Sequence, residues 1–179
     1  LTNAISTGVT FNALSANHSV AATFSANTYT VTFKSGSNAT GTDTTLSFTY
    51  GGYITTLSSS AGYNTFPRVG YGLSGWTLTD GSSTIDQNAG VTYSSAASLI
   101  LYPVWSIKTY TIYPNGNGNT GGSDSNMTFK VGDSKTAPST TGYTLSGKTF
   151  GGWNSAANGT GTAISGGATL SATLLDSIA

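Results

Sequence analysis

Phe150 to Gly161 reads FGGWNSAANGTG. A tryptophan stands behind two glycines, followed by small polar residues and more glycine. The stretch is either a loop that cradles a ligand or a turn that belongs to the architecture. The rest of the chain decides between these, because the stretch has a counterpart. Gly70 to Trp76 reads GYGLSGW, and Gly142 to Gly147 reads GYTLSG, with its tryptophan arriving later as Gly151-Gly152-Trp153. A turn follows each tryptophan, TDGSSTI from Thr79 and ANGTGTAI from Ala157. Upstream, TYTV at Thr28 to Val31 matches TYTI at Thr109 to Ile112. Tyr29 and Tyr110 stand about 80 residues apart, a sensible size for a small domain. The stretch therefore reads as part of a repeated module.

Period-two alternation dominates both copies. Thr28 to Phe33 (TYTVTF) puts Tyr29, Val31 and Phe33 on one face, and Thr109 to Tyr113 (TYTIY) does so with Tyr110 and Ile112 until Tyr113 breaks the pattern. Leu46 to Tyr50 (LSFTY) and Val20 to Phe24 (VAATF) read as further strands. Branched and aromatic residues at alternating positions suit a half-buried strand. Gly, Asn and Asp clusters punctuate them, SGSNATGTD after the first and NGNGNTGGSDSN after the second. No segment keeps a helical period over three turns. The expectation is a mainly β chain with Gly/Asn-rich turns and little helix.

Composition removes several function classes. Charged residues are 7% of the 179, and all six acids are aspartate. A nucleic-acid binder would need clustered Lys and Arg to neutralise phosphates. Aromatics at 11% supply enough apolar surface to form a core, which argues against disorder. The absence of cysteine excludes disulfides and thiolate metal sites. No apolar run approaches the roughly 20 residues that span a bilayer. No charged start precedes an apolar core, so a signal peptide is not expected within this chain. Ordinary soluble domains carry about 25% charged residues, and this low-charge Thr/Ser/Gly/Asn composition points to an extracellular setting.

With both copies in view, the chain resembles the Listeria–Bacteroides repeat, the internalin-type B repeat of bacterial surface proteins. In the first copy TYTVTF (Thr28 to Phe33), GYGLSGW (Gly70 to Trp76) and LYPVW (Leu101 to Trp105) carry the resemblance. Pro103 departs from the small residue usual there. In the second copy TYTIYP, KTFGGWN and SAANGTGTAI carry it, with Pro114 where the family prefers Phe. The tail TLSATLLDSIA lacks the closing strand. The segment VTFNALSANHSVAATFSAN resembles the closing strands of a divergent repeat. The expected domains are residues 1–27 as the C-terminal strands of a preceding divergent repeat, 28–105 as the first module, and 109–179 as the second, without its closing strand. Ser106-Ile107-Lys108 would be a short linker. The resemblance implies tandem small β-grasp-like modules on cell-surface or secreted proteins. It implies architecture and location more than an activity.

Modules this small lean on large aromatics for buried area. Tyr29, Trp76, Trp105, Tyr110 and Trp153 are the expected core anchors. Candidate chemistry is sparse. His18, in the turn-like ANHS, is the only histidine, and no Gly-x-Ser-x-Gly elbow accompanies it. A glycosidase would need two suitably spaced aspartates, yet all six lie in turn-like contexts. Asp43, Asp80, Asp86, Asp124 and Asp133 offer hard oxygens to calcium but are too dispersed to define a site, and turn capping accounts for them. GNGNTGG at Gly116 to Gly122 lacks the Lys-Ser/Thr of a phosphate loop and reads as a hairpin connection. A lysine–asparagine isopeptide bond needs a buried acid beside the pair, and no candidate stands out. Asn17, Asn38, Asn126 and Asn158 begin Asn-x-Ser/Thr sequons, candidate glycosylation sites. Tyr53, Tyr63 and Tyr93 are candidate glycan-stacking contacts.

The functional expectation is a non-catalytic stalk, spacer or adhesin segment of an extracellular, cell-surface or secreted protein, with no cofactor, no catalytic or metal residues and no nucleic-acid partner. Its partners would be neighbouring repeats, identical subunits or surface glycans. The alternatives are a subunit of an extracellular filament or sheath built by strand addition between chains, and a glycan-binding module.

Overall fold

The computed structural model describes residues 21–139 and 142–179. The described chain is mainly β, with two helices of seven residues each. Strand β1 (Thr28–Phe33) follows the alternation read from the sequence, burying Val31 and Phe33 completely. It pairs antiparallel with β2 (Thr44–Thr49), Tyr29 opposite Phe48 and Val31 opposite Leu46. Short strands β3 (Ile54–Thr55) and β6 (Thr92–Tyr93) pair with each other. Helix α1 (Ser59–Thr65) separates β3 from β4 (Tyr71–Thr77), and β5 (Gln87–Asn88) pairs with β4. The long strand β7 (Leu99–Ile107) runs parallel to β1 and antiparallel to β4. The resulting sheet has the order β2-β1-β7-β4-β5, so β7 is its central strand.

Trp76 anchors this first module. It is completely buried, and its ring meets Phe33 edge-on at 4.7 Å and Phe66 at 6.0 Å between centroids. Its Nε1 donates to the Leu57 carbonyl at 3.0 Å, so the indole N–H is not stranded by burial. Helix α1 starts at Ser58, whose side chain accepts from the Ala61 N–H. Its buried Gly62 faces Leu73 and Trp76, and a Cβ there would collide with both side chains. Tyr29 and Trp105 pack on the same core while partly exposed.

The second module repeats the outline and omits the centre. Strands β8 (Tyr110–Ile112) and β9 (Met127–Phe129) pair antiparallel, as do β10 (Trp153–Asn154) and β11 (Ala163–Ile164). They remain two separate two-stranded sheets, and among the described residues no strand joins β8 to β10. Helix α2 (Ala172–Ile178), capped by the Ser171 side chain accepting from Leu174 N–H, follows instead. Leu175 of α2 is buried with Phe129, Ala137 and Leu170, and Tyr110, Ile112 and Trp153 pack around them. Trp153 is only partly buried, with Nε1 donating to the Pro138 carbonyl at 2.9 Å.

The glycine-rich stretch is architecture. Asn154 organises its turn, accepting from Ala156 N–H at 2.9 Å and Gly161 N–H at 3.0 Å and donating to the Gly159 and Gly161 carbonyls. Gly159 holds a φ of +78°, which a side chain would strain.

Three local expectations change. Strand β7 runs on through Ser106 and Ile107, so only Lys108 and Thr109 separate the modules' strands. The described part of the Val20–Phe24 strand is not one: residues 21–27 are exposed and carry no regular structure, because no neighbouring strand pairs with them. The greater part of the 1–27 unit, with Asn17 and His18, lies outside the described residues. The tail holds a helix, since Leu174, Leu175 and Ile178 put their apolar side chains on the second core.

Burial separates the two equivalent tryptophans energetically. Trp76→Ala is expected to cost about 3–5 kcal/mol in urea unfolding, and Trp153→Ala less, because Trp153 keeps part of its surface in water. Equal costs would contradict this packing.

Candidate functional site

The densest polar cluster joins the modules. Asp176, on α2, is aimed back at the first module and at the segment between the two. Its Oδ1 accepts from Lys108 Nζ at 2.7 Å and from the Tyr110 hydroxyl at 2.6 Å. Its Oδ2 accepts from the Gly70 N–H at 2.9 Å and from the Tyr63 hydroxyl at 3.3 Å. Tyr63 and Gly70 belong to the first module, Tyr110 to the second, and Lys108 lies between them. Lys108 Nζ also sits 4.6 Å from the centre of the Tyr63 ring, which meets Trp105 edge-on. The Gly70 carbonyl accepts from Lys108 N–H at 2.9 Å. Gly70 has a φ of +78°, and a Cβ there would run into Val131 and Ala172 of the second module. Glycine at 70 therefore allows the two modules to close.

The electrostatics follow from this geometry. Burial alone would push the Asp176 carboxyl up. The hydrogen bonds from Lys108, Tyr110 and the Gly70 backbone, with the Lys108 charge, outweigh it and hold the carboxyl at about 2, below its ordinary 3.8. The Tyr110 phenol is pushed well above its ordinary value, first by burial and then by its bond to the Asp176 carboxylate. Lys108 and Asp176 form an ion pair, with Nζ 2.7 Å from Oδ1.

A second feature lies in the second module. A cleft of about 490 Å3 opens between the run Tyr113 to Asn119 and the run Lys148 to Asn154. Its floor is a cluster of Tyr143, Phe150 and Trp153, with ring centroids 4.9 to 5.5 Å apart. Burial, with the Asp124 carboxylate adding to it, raises the Tyr143 phenol above its ordinary range. Asn117, Asn119 and Asn154 face this region, and each spends its amide on nearby loop carbonyls.

The sequence candidates fall as follows. Tyr29, Trp76, Trp105, Tyr110 and Trp153 all pack on one of the two cores, and only Trp76 is completely buried. Of the candidate glycan contacts, Tyr53 is exposed. Tyr93 is buried and donates to the Ala97 carbonyl, while the partly buried Tyr63 bonds Asp176 through its hydroxyl and has Lys108 over its ring. Sequon residues Asn38, Asn126 and Asn158 are exposed. Asp80 clamps Ser37 N–H, Asp86 accepts from Thr77 and from Leu78 N–H, and Asp133 accepts from Lys130 N–H. All three lie outside helices and strands, but only Asp133 caps its own turn; Asp80 ties its turn to the distant one at Ser37, and Asp86 reaches back to the end of β4. Asp176 is the exception, since it lies in a helix. Among the described residues no group of three or more His, Cys, Asp or Glu could hold a metal ion. Likewise no helix there is long and apolar enough to cross a membrane.

The depressed Asp176 carboxyl makes a signed prediction. Its contribution is fully present above pH about 4 and is lost as the pH falls toward 2. Asp176→Asn is expected to lose roughly 1–3 kcal/mol at neutral pH and to lack that acid-side slope. Urea midpoints of both proteins between pH 2 and 7 measure it, and parallel curves would contradict the assignment.

No curated protein and no solved structure gives a match to the chain. The model of the Listeria-Bacteroides repeat domain matches residues 29–103 and again 110–174, one match on each module described above. The chain thus belongs to the Listeria-Bacteroides repeat family and carries two tandem copies of its domain.

Proposed function

We propose that the chain is a non-catalytic, extracellular repeat region that serves as a stalk, spacer or adhesin segment of a cell-surface protein. The observation that carries this reading is the junction. Two repeat modules meet through two residues of non-strand chain and one carboxylate that ties them together. Short linkers with shared boundary contacts transmit orientation from one repeat to the next, as a spacer requires. The low charge, the structural contacts of Asp80, Asp86 and Asp133 and the family's repeat character support it as well. A filament or sheath subunit is the alternative, favoured by the open edges of the two two-stranded sheets, and a glycan-binding module is a further one.

The spacer reading predicts a fixed geometry. The chain has no cysteine, so Ser47→Cys with Ala157→Cys places two unique spin labels on exposed sites of the two modules. A single narrow distance distribution is expected, broadening on Asp176→Asn. A broad distribution in the parent would remove the spacer reading. Antibody against the folded chain is expected to label intact source cells, and labelling only after permeabilisation would contradict the extracellular setting.

A further inference from the structure

The turn after β8 holds two of the chain's three Asn-Gly steps, Asn115-Gly116 and Asn117-Gly118, and the third is Asn158-Gly159 in the facing turn. At such a step the backbone can attack the side chain, because glycine adds no Cβ beside the attacking nitrogen. The glycine nitrogen adds to the asparagine Cγ, and ammonia leaves. The five-membered imide that results takes up water at either carbonyl and opens to aspartate or isoaspartate. Asparagine and water are consumed, an acid and ammonia are formed, and no oxidant or second protein takes part. All three asparagines are exposed, so access to water does not choose between them.

The hydrogen bonds do choose. The attacking nitrogen must be free of an acceptor, and the carboxamide must be free to turn its Cγ toward that nitrogen. At Asn158 the nucleophile is engaged, since Gly159 N–H donates to the Ala156 carbonyl at 3.0 Å. Its Oδ1 is held too, by Thr160 N–H at 3.1 Å and the Thr160 hydroxyl at 2.8 Å. At Asn117 the carboxamide is engaged, with Nδ2 donating to the Ala157 carbonyl at 2.8 Å. Asn115 is restrained in neither way. Among the described residues, Gly116 N–H has no acceptor and Asn115 Nδ2 donates to none. The one bond on its side chain assists the attack. Asn117 N–H donates to Oδ1 at 2.8 Å, the oxygen on which negative charge gathers as the nitrogen adds. A Cβ at Gly116 would run into the Asn119 carboxamide, so the turn itself requires the glycine that leaves the attack open.

We infer that Asn115 is a self-modifying site, converted in the folded chain to aspartate and isoaspartate through its own Gly116 nitrogen, ahead of Asn117 and Asn158. The product places a carboxylate on a wall of the aromatic cleft, in a chain that has only six acids. The isoaspartyl form also lengthens the turn's backbone by one carbon, next to the Asn117 bond that ties this turn to Ala157. The cleft wall therefore changes with the age of the molecule. The junction at Asp176, on which the spacer reading rests, shares no residue with this turn.

The test incubates the full chain at mildly alkaline pH and reads each Asn-Gly step by peptide mapping with mass spectrometry. Conversion exchanges NH2 for OH, and isoaspartyl and aspartyl peptides elute apart. Asn115 is expected to convert at least about fivefold faster than either other step, the rate equivalent of one hydrogen bond. In concentrated urea the three rates should converge, because the discrimination resides in the fold. Asn115→Gln should remove the first product. Earlier conversion at Asn117 or Asn158 overturns the inference, as does a folded chain that keeps all three asparagines. An order that survives in urea, or a first product that persists in Asn115→Gln, overturns it as well.

Discussion

The Asp176 carboxylate accepts four hydrogen bonds, from donors in both modules and in the segment between them. A carboxylate partly removed from water is stable only when its lone pairs are met, and here charged, phenolic and backbone donors meet them. Each donor is fixed by a different part of the fold. Gly70 N–H comes from the turn before β4, Tyr63 from α1, and Tyr110 from the start of β8. Removing the acceptor would leave several of these groups without their partner at once.

The two modules need this tie to different degrees. The first closes a five-stranded sheet over Val31, Phe33, Phe66, Trp76 and Leu101, all completely buried. The second has two two-stranded sheets, and a lone hairpin is at best marginal in water. Its core is completed by Leu175 on the same helix that carries Asp176. The helix therefore serves twice: one face covers the second core, and one carboxylate anchors that core to the first module. The aromatic cleft opens between β10 with the segment before it and the turn that follows β8.

Much of the fold was legible because alternation and aromatic placement are local signals. TYTVTF became β1 residue for residue, and Trp76 took the core position that its buried setting required. The duplication showed that FGGWNSAANGTG was a turn, and Asn154 gave the mechanism. The junction was not legible. TLLDSIA reads as a tail without a strand, and an aspartate seven residues past Thr169 carries no local sign of partners at Tyr63 and Gly70. Tyr63 and Tyr93 looked alike as tyrosines outside the strongest strands. Only the tertiary fold distinguishes a junction donor from a core residue with a satisfied hydroxyl. The length of β7 was missed for a related reason, because Ser106 is polar and its pairing with Gly72 lies far along the chain.

The account rests on the two modules behaving as one unit through Asp176. Fluorine-labelled tryptophan reports Trp76 and Trp153 separately, so equilibrium urea unfolding can be followed in both modules in one sample. The account predicts a shared midpoint in the parent chain and two separated midpoints in Asp176→Asn, with the second module unfolding first. Separate midpoints in the parent, or a shared one that survives the substitution, would contradict it.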